Sequence, residues 1–125
     1  MIVNVREDVC TSCPWRKENA HQLQIDKIIE MIDEEIISPC HKIMEKITGS
    51  PYKGVEVYAE YCSKNNKPFI ICRGFAIARA RLYRNHNNKL LNVIDEKVRN
   101  SDDFNREDIV DMEYIYNKAK ELKNR

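Results

Sequence analysis

Cys10-Thr11-Ser12-Cys13-Pro14-Trp15-Arg16 is the stretch on which the fold turns. A Cys-x-x-Cys pair puts two thiols on one tight turn, about the right distance apart to grip one metal ion. Two more soft ligands from elsewhere would close a tetrahedron. Cys40, beside His41, and Cys72, just before Arg73-Gly74-Phe75, are placed to supply them. The intervals between successive ligands leave room for a helix or a hairpin. The expected ligand set is therefore Cys10, Cys13, Cys40 and Cys72, pulling three segments of a small protein together. His41 is the alternative to Cys40: the two are adjacent, so one of them serves, and softness favours the thiolate.

A site with four protein ligands has no open position for water and is structural. Zinc is the first expectation, with four cysteines or three cysteines and His41. A [4Fe–4S] cluster is the alternative, since four thiolates and a proline after a ligand also suit it. A thioredoxin-like redox pair expects its motif at a helix start inside a βαβ frame, whereas Pro14 and Trp15 here follow the second cysteine and no βαβ pattern is visible. The competing reading makes Cys40 and Cys72 small buried hydrophobes, and that is the expectation for Cys62.

The chain has 125 residues, 42% hydrophobic and 33% charged, with a formal net charge of +1. That length fits one domain (residues 1–125) with a modest core. No run approaches the roughly 18 apolar residues that a membrane span needs. The N-terminus lacks a basic segment followed by an apolar stretch, so the cytoplasm is the expected compartment. In a reducing compartment disulfides rarely persist, and five cysteines, an odd number, suit four ligands and a spare better than a disulfide framework.

Outward from the cysteine loop, the expected fold is mainly α, with α+β left open by a small sheet near the metal. Residues 2–5 alternate weakly, as a strand entering the loop would. Apolar residues recur at helical period over 21–37, where Leu23, Ile25, Ile28, Ile29, Ile32, Ile36 and Ile37 make one face. Ser38-Pro39 is expected to end that helix. A short helical piece follows at 41–47, and Gly49-Ser50-Pro51 breaks the chain. Residues 55–61 alternate like a strand, with a helix as the second reading, and 69–72 read as a buried strand or a helix entry. Helices are expected at 75–83, 90–98 and 106–123, the last capped by Asn105 with Glu107 and Asp108 in its first turn. The metal-site core thus covers residues 10–75 and the C-terminal helix residues 105–123.

The set Cys-x-x-Cys-Pro-Trp-Arg, then Cys40-His41, then Cys72-Arg73-Gly74-Phe75 resembles a family of small bacteriophage and bacterial cysteine-cluster proteins over roughly residues 10–80. The resemblance implies that Cys10, Cys13, Cys40 or His41, and Cys72 are the cluster residues, with Trp15, Arg16 and Gly74 shaping their surroundings. In size and motif order the chain is also similar to a lactococcal phage protein through which the host abortive-infection protein AbiV acts. That likeness implies a phage-type protein in the host cytoplasm, and a host protein such as AbiV as a partner.

From Arg73 to Lys89 the chain carries Arg73, Arg79, Arg81, Arg84 and Lys89 and no acidic residue. Arginines on a metal-pinned helix can meet phosphates, so these five are the candidate contacts to DNA or RNA; the alternative is a solvated face. Asp102, Asp103 and the acidic residues of the first helix could neutralise them within the chain or across a homodimer. Trp15 is expected as a core anchor, Arg16 as a donor to loop carbonyls, and Gly74 as a point of close backbone approach. His21 and His86, in polar surroundings, are expected to be solvated. No phosphate-binding glycine loop, nucleophile elbow or zinc-deaminase signature is present, so the expected activity is binding: nucleic-acid association first, and as alternatives a protein–protein adaptor or an iron–sulfur redox protein.

Overall fold

Residues 68–80 form the centre of the protein. The structure is a computed structural model in which residues 2–50 and 54–124 are described. Strand β2 (Phe69–Ile71) is a short apolar run, and helix α4 (Arg73–Ala80) follows it directly. Gly74 through Ala80 are all buried. A helix buried at every position from Gly74 to Ala80, Arg79 included, needs neighbours on every side.

Those neighbours arrive in chain order. Strand β1 (Val3–Val5) pairs parallel with β2, Val3 opposite Phe69 and Val5 opposite Ile71. A 3₁₀-helix (Lys17–Gln22) leads to α1 (Ile25–Asp33), whose Ile28, Ile29 and Ile32 are buried. Helix α2 (His41–Thr48) ends at Gly49, where φ is +81°, a left-handed cap that glycine adopts without strain. Helix α3 (Val55–Lys64) packs on α2 and β2, and its Tyr58 hydroxyl accepts the Ile70 backbone N–H at 3.1 Å. Helix α5 (Lys89–Arg99) lies on α4, and α6 (Met112–Lys123) on α1. Ile28 and Ile32 are almost wholly buried; burying such a side chain contributes about 1.5–3 kcal/mol each.

The mainly helical expectation holds, with a two-stranded sheet. Five details differ. First, the strands run parallel, joined by a crossover that contains α1, α2 and α3, an arrangement that three-residue strands cannot announce. Second, the helix expected over 21–37 is confined to Ile25–Asp33. Glu35 turns the chain with φ +56°, and Ile36 N–H bonds back to Met31 C=O at 3.0 Å, closing the helix before Ser38-Pro39. Third, residues 55–61 are helical: Val57 and Tyr61 face water, whereas Tyr58 and Cys62 are buried, a spacing of four. Fourth, the helix at 75–83 begins at Arg73 and ends at Ala80.

The fifth concerns the C-terminal helix. It starts at Met112 rather than Arg106, capped by Asp111, whose carboxylate accepts the Tyr114 N–H at 3.1 Å. Residues 108–110 instead pair with the N-terminal loop: Lys17 N–H donates to Asp108 C=O at 2.8 Å, and Val110 N–H to Trp15 C=O at 2.9 Å. That tertiary pairing overrides the acidic first-turn signal of Glu107 and Asp108. The expected break at Gly49-Ser50-Pro51 is seen as far as Ser50; Pro51 lies outside the described residues.

Candidate metal centre

Four segments are fastened to one another around the cysteines. Cys13 N–H bonds to Cys10 C=O at 3.1 Å, closing the Cys-x-x-Cys stretch into a turn. Side chains bond further carbonyls of this stretch. Arg16 donates to Cys10 C=O and Val9 C=O, each at 2.8 Å, and pairs with Asp108. Asn19 donates to Thr11 C=O and Cys13 C=O. A loop so anchored presents its sulfurs from a fixed frame.

Strand β2 positions the other two cysteines. Cys40 N–H bonds to Ile70 C=O at 2.9 Å and Cys72 N–H to Ser38 C=O at 3.0 Å, with Pro39 bridged to Ile71. This short antiparallel contact lays Cys40 beside Cys72. Each is the N-cap of an eight-residue helix, Cys40 of α2 and Cys72 of α4. A helix N-terminus carries partial positive charge.

Cys10, Cys13, Cys40 and Cys72 line one small cavity, with His41, Arg6 and Gly74 also in its wall. The sulfurs of Cys13 and Cys72 are 3.5 Å apart, close to the roughly 3.8 Å between two sulfurs on one tetrahedral zinc with bonds of about 2.3 Å. Cys10 Sγ meets the Ser12 hydroxyl at 3.9 Å, and Arg6 Nη1 donates to Cys40 Sγ at 3.2 Å. As placed, no group of three or more His, Cys, Asp or Glu side chains among the described residues is arranged to hold a metal ion. Cys10, Cys13, Cys40 and Cys72 nonetheless face the same cavity.

Cys13 and Cys72 perturb one another in opposite directions. The Cys72 thiol donates to the Cys13 sulfur and brings the Cys13 pKa down to about 7, aided by the Trp15 backbone N–H and the charge of Arg16. The same contact, together with burial, pushes Cys72 well above the ordinary thiol range. Burial pushes His41 down, which keeps its imidazole neutral. Gly74 is the cradle: a Cβ there would lie 2.5 Å from Cys13 Sγ and 3.1 Å from Trp15 Cβ. Trp15 is buried against Phe75, ring centres 5.0 Å apart, and Cys62 is a buried thiol on α3, both as expected.

The basic segment is engaged inside the protein. Arg73 grips both carboxylate oxygens of Asp103, at 2.7 and 2.6 Å. Arg79, 1% exposed, pairs with Asp95, also buried. Arg81 donates to the carbonyls of Phe104 and Arg106. Arg84 is 3.4 Å from Asp33 and lies over the Tyr116 ring. Of the five, Lys89 alone is left exposed without such a partner among the described residues.

His86 corrects an expectation. Its side chain is 4% exposed, not solvated, and its Nε2 lies 2.7 Å from Asp95 Oδ2. Asp95 thus joins Arg79 and His86 in a buried polar cluster for which Asn85-His86-Asn87-Asn88 gives no sequence signal. His21 is exposed, as expected. Comparisons with known protein families, curated proteins and solved structures find no match to this chain.

Proposed function

We propose that Cys10, Cys13, Cys40 and Cys72 hold one structural zinc ion, and that the protein works by binding a partner. The observation that supports this most is the convergence of four thiols, from segments far apart in sequence, on the wall of one small cavity. Two of the thiols cap helices, two are in sulfur–sulfur contact, and Arg6 donates to a third. Four thiolates around Zn²⁺ leave two net negative charges, which the helix N-termini and Arg6 oppose. A closed tetrathiolate site has no place for a reacting water, so its contribution is to fix the fold. His41, neutral and in the same wall, is the substitute for Cys40.

Nucleic acid is the weaker partner reading, because Arg73, Arg79, Arg81 and Arg84 already have internal partners. A protein partner, of the host-defence kind that the resemblance to phage proteins implies, is the stronger one. Cobalt substitution tests the site. The account expects one Co²⁺ per chain with the intense visible bands of a tetrahedral thiolate complex, displaced by Zn²⁺. A pale, six-coordinate spectrum would overturn it.

A further inference from the structure

The sulfurs of Cys13 and Cys72 are 3.5 Å apart, across 59 positions of sequence. The other thiols have different neighbours: Cys10 Sγ meets the Ser12 hydroxyl, Cys40 Sγ accepts from Arg6, and Cys62 Sγ donates to Pro68 C=O. A disulfide bond is about 2.05 Å long, so Cys13 and Cys72 need close by only about 1.5 Å. The backbone around them favours that approach. Gly74 has no Cβ, which would lie 2.5 Å from Cys13 Sγ, so the Cys13 sulfur rests against the first turn of α4 just beyond Cys72. Asn19 holds Cys13 C=O, and Cys72 N–H is bonded to Ser38 C=O. Both sulfurs are buried, but the wall of their cavity also includes Asp8, Ser12 and Lys42, all exposed, so the cavity meets solvent on that side.

Resting on the zinc reading, we infer that this site is also a redox switch, in which hydrogen peroxide joins Cys13 to Cys72 as a disulfide and the metal ion is expelled. One thiolate attacks a peroxide oxygen; the O–O bond breaks and hydroxide leaves with its electron pair, giving a sulfenic acid. The second thiolate attacks that sulfur; the S–S bond forms, the S–O bond breaks and a second hydroxide leaves. Two protons from the medium turn the hydroxides into water. The two thiolates have then lost two electrons, and the peroxide has gained them. Cys10 and Cys40 supply only half of a tetrahedral donor set, so Zn²⁺ departs. Exchange with a dithiol reductant regenerates both thiols and restores the site. The disulfide keeps the cysteine loop fastened to α4, whereas Cys40, at the start of α2, loses its metal cross-link.

The test treats zinc-loaded protein, its metal content measured beforehand, with a stoichiometric amount of hydrogen peroxide. A chromogenic chelator reads released zinc, and tandem mass spectrometry reads a non-reducing tryptic digest. The expected product is peptide 7–16 joined to peptide 65–73, which holds Cys72 as its one cysteine. Fragmentation should place the bond at Cys13 rather than Cys10, one zinc should be lost per cross-link, and dithiothreitol should restore zinc binding. Cys62→Ser, outside the cavity, should change none of this. Retained zinc, a bond to Cys10, Cys40 or Cys62 instead, or sulfinic acid without a cross-link would overturn the inference and leave the zinc reading standing. Protein that carries no zinc at the outset would overturn both.

Discussion

Gly74 leaves no room for even a methyl group, because Cys13 Sγ and Trp15 Cβ occupy that space. Gly74→Ala should lower stability by about 1–3 kcal/mol through overpacking, read by urea unfolding, and should weaken metal retention with it. At Asp95 the cost comes from charge. Removing it as Asp95→Ala strands the Arg79 guanidinium, 1% exposed, and should cost about 3–5 kcal/mol. The double replacement Arg79→Met with Asp95→Leu should recover much of that loss, which separates an uncompensated charge from lost packing. Asp103 gives a pH signature. Arg73 holds its carboxyl down at about 2, below the unfolded value, so the folded protein keeps the charge where the unfolded chain takes up a proton. Its contribution is complete above about pH 4 and is lost as pH falls towards 2. Asp103→Asn should therefore flatten the decline in stability over that window, measured by thermal melts in acid. At this scale the cysteines, Trp15, Arg16 and Gly74 were readable because their chemistry is scarce. The destinations of the arginines were not, because an arginine's partner lies across space, as Asp103 does from Arg73 and Asp95 from Arg79.

Among the elements, α6 shows how local signals compete. Asn105 with Glu107 and Asp108 satisfies every sequence rule for a helix start, yet Asp111 is the cap. The preceding residues are held by the backbone of Trp15 and Lys17. Asp111→Ala should cost about 1 kcal/mol, and Asn105→Ala close to nothing, in paired urea titrations. Helices α1 and α5 were legible from the spacing of Ile28, Ile29 and Ile32 and of Leu91, Ile94 and Val98. The end of α1 was not, because Glu35 takes a left-handed conformation without being Gly or Asn. Its carboxylate receives the backbone N–H groups of Asn87 and Asn88, far away along the chain. Strands of three residues carry too little pattern to show whether they run parallel.

Across the whole molecule, the cysteine loop, the turn into α2 and the β2–α4 junction meet at one cavity, and β2 is the rail that brings them there. No described helix is long and apolar enough to cross a membrane. In the proposed zinc site, a metal cross-link between segments some 30 residues apart would act as folding free energy, since the unfolded chain does not preform the site. Metal content of protein purified without oxygen and without a histidine tag, alongside Cys72→Ser, tests this most directly. The account predicts one zinc per chain, and in the variant the loss of zinc together with a large fall in thermal stability. A native protein that is fully folded and contains no metal would contradict it.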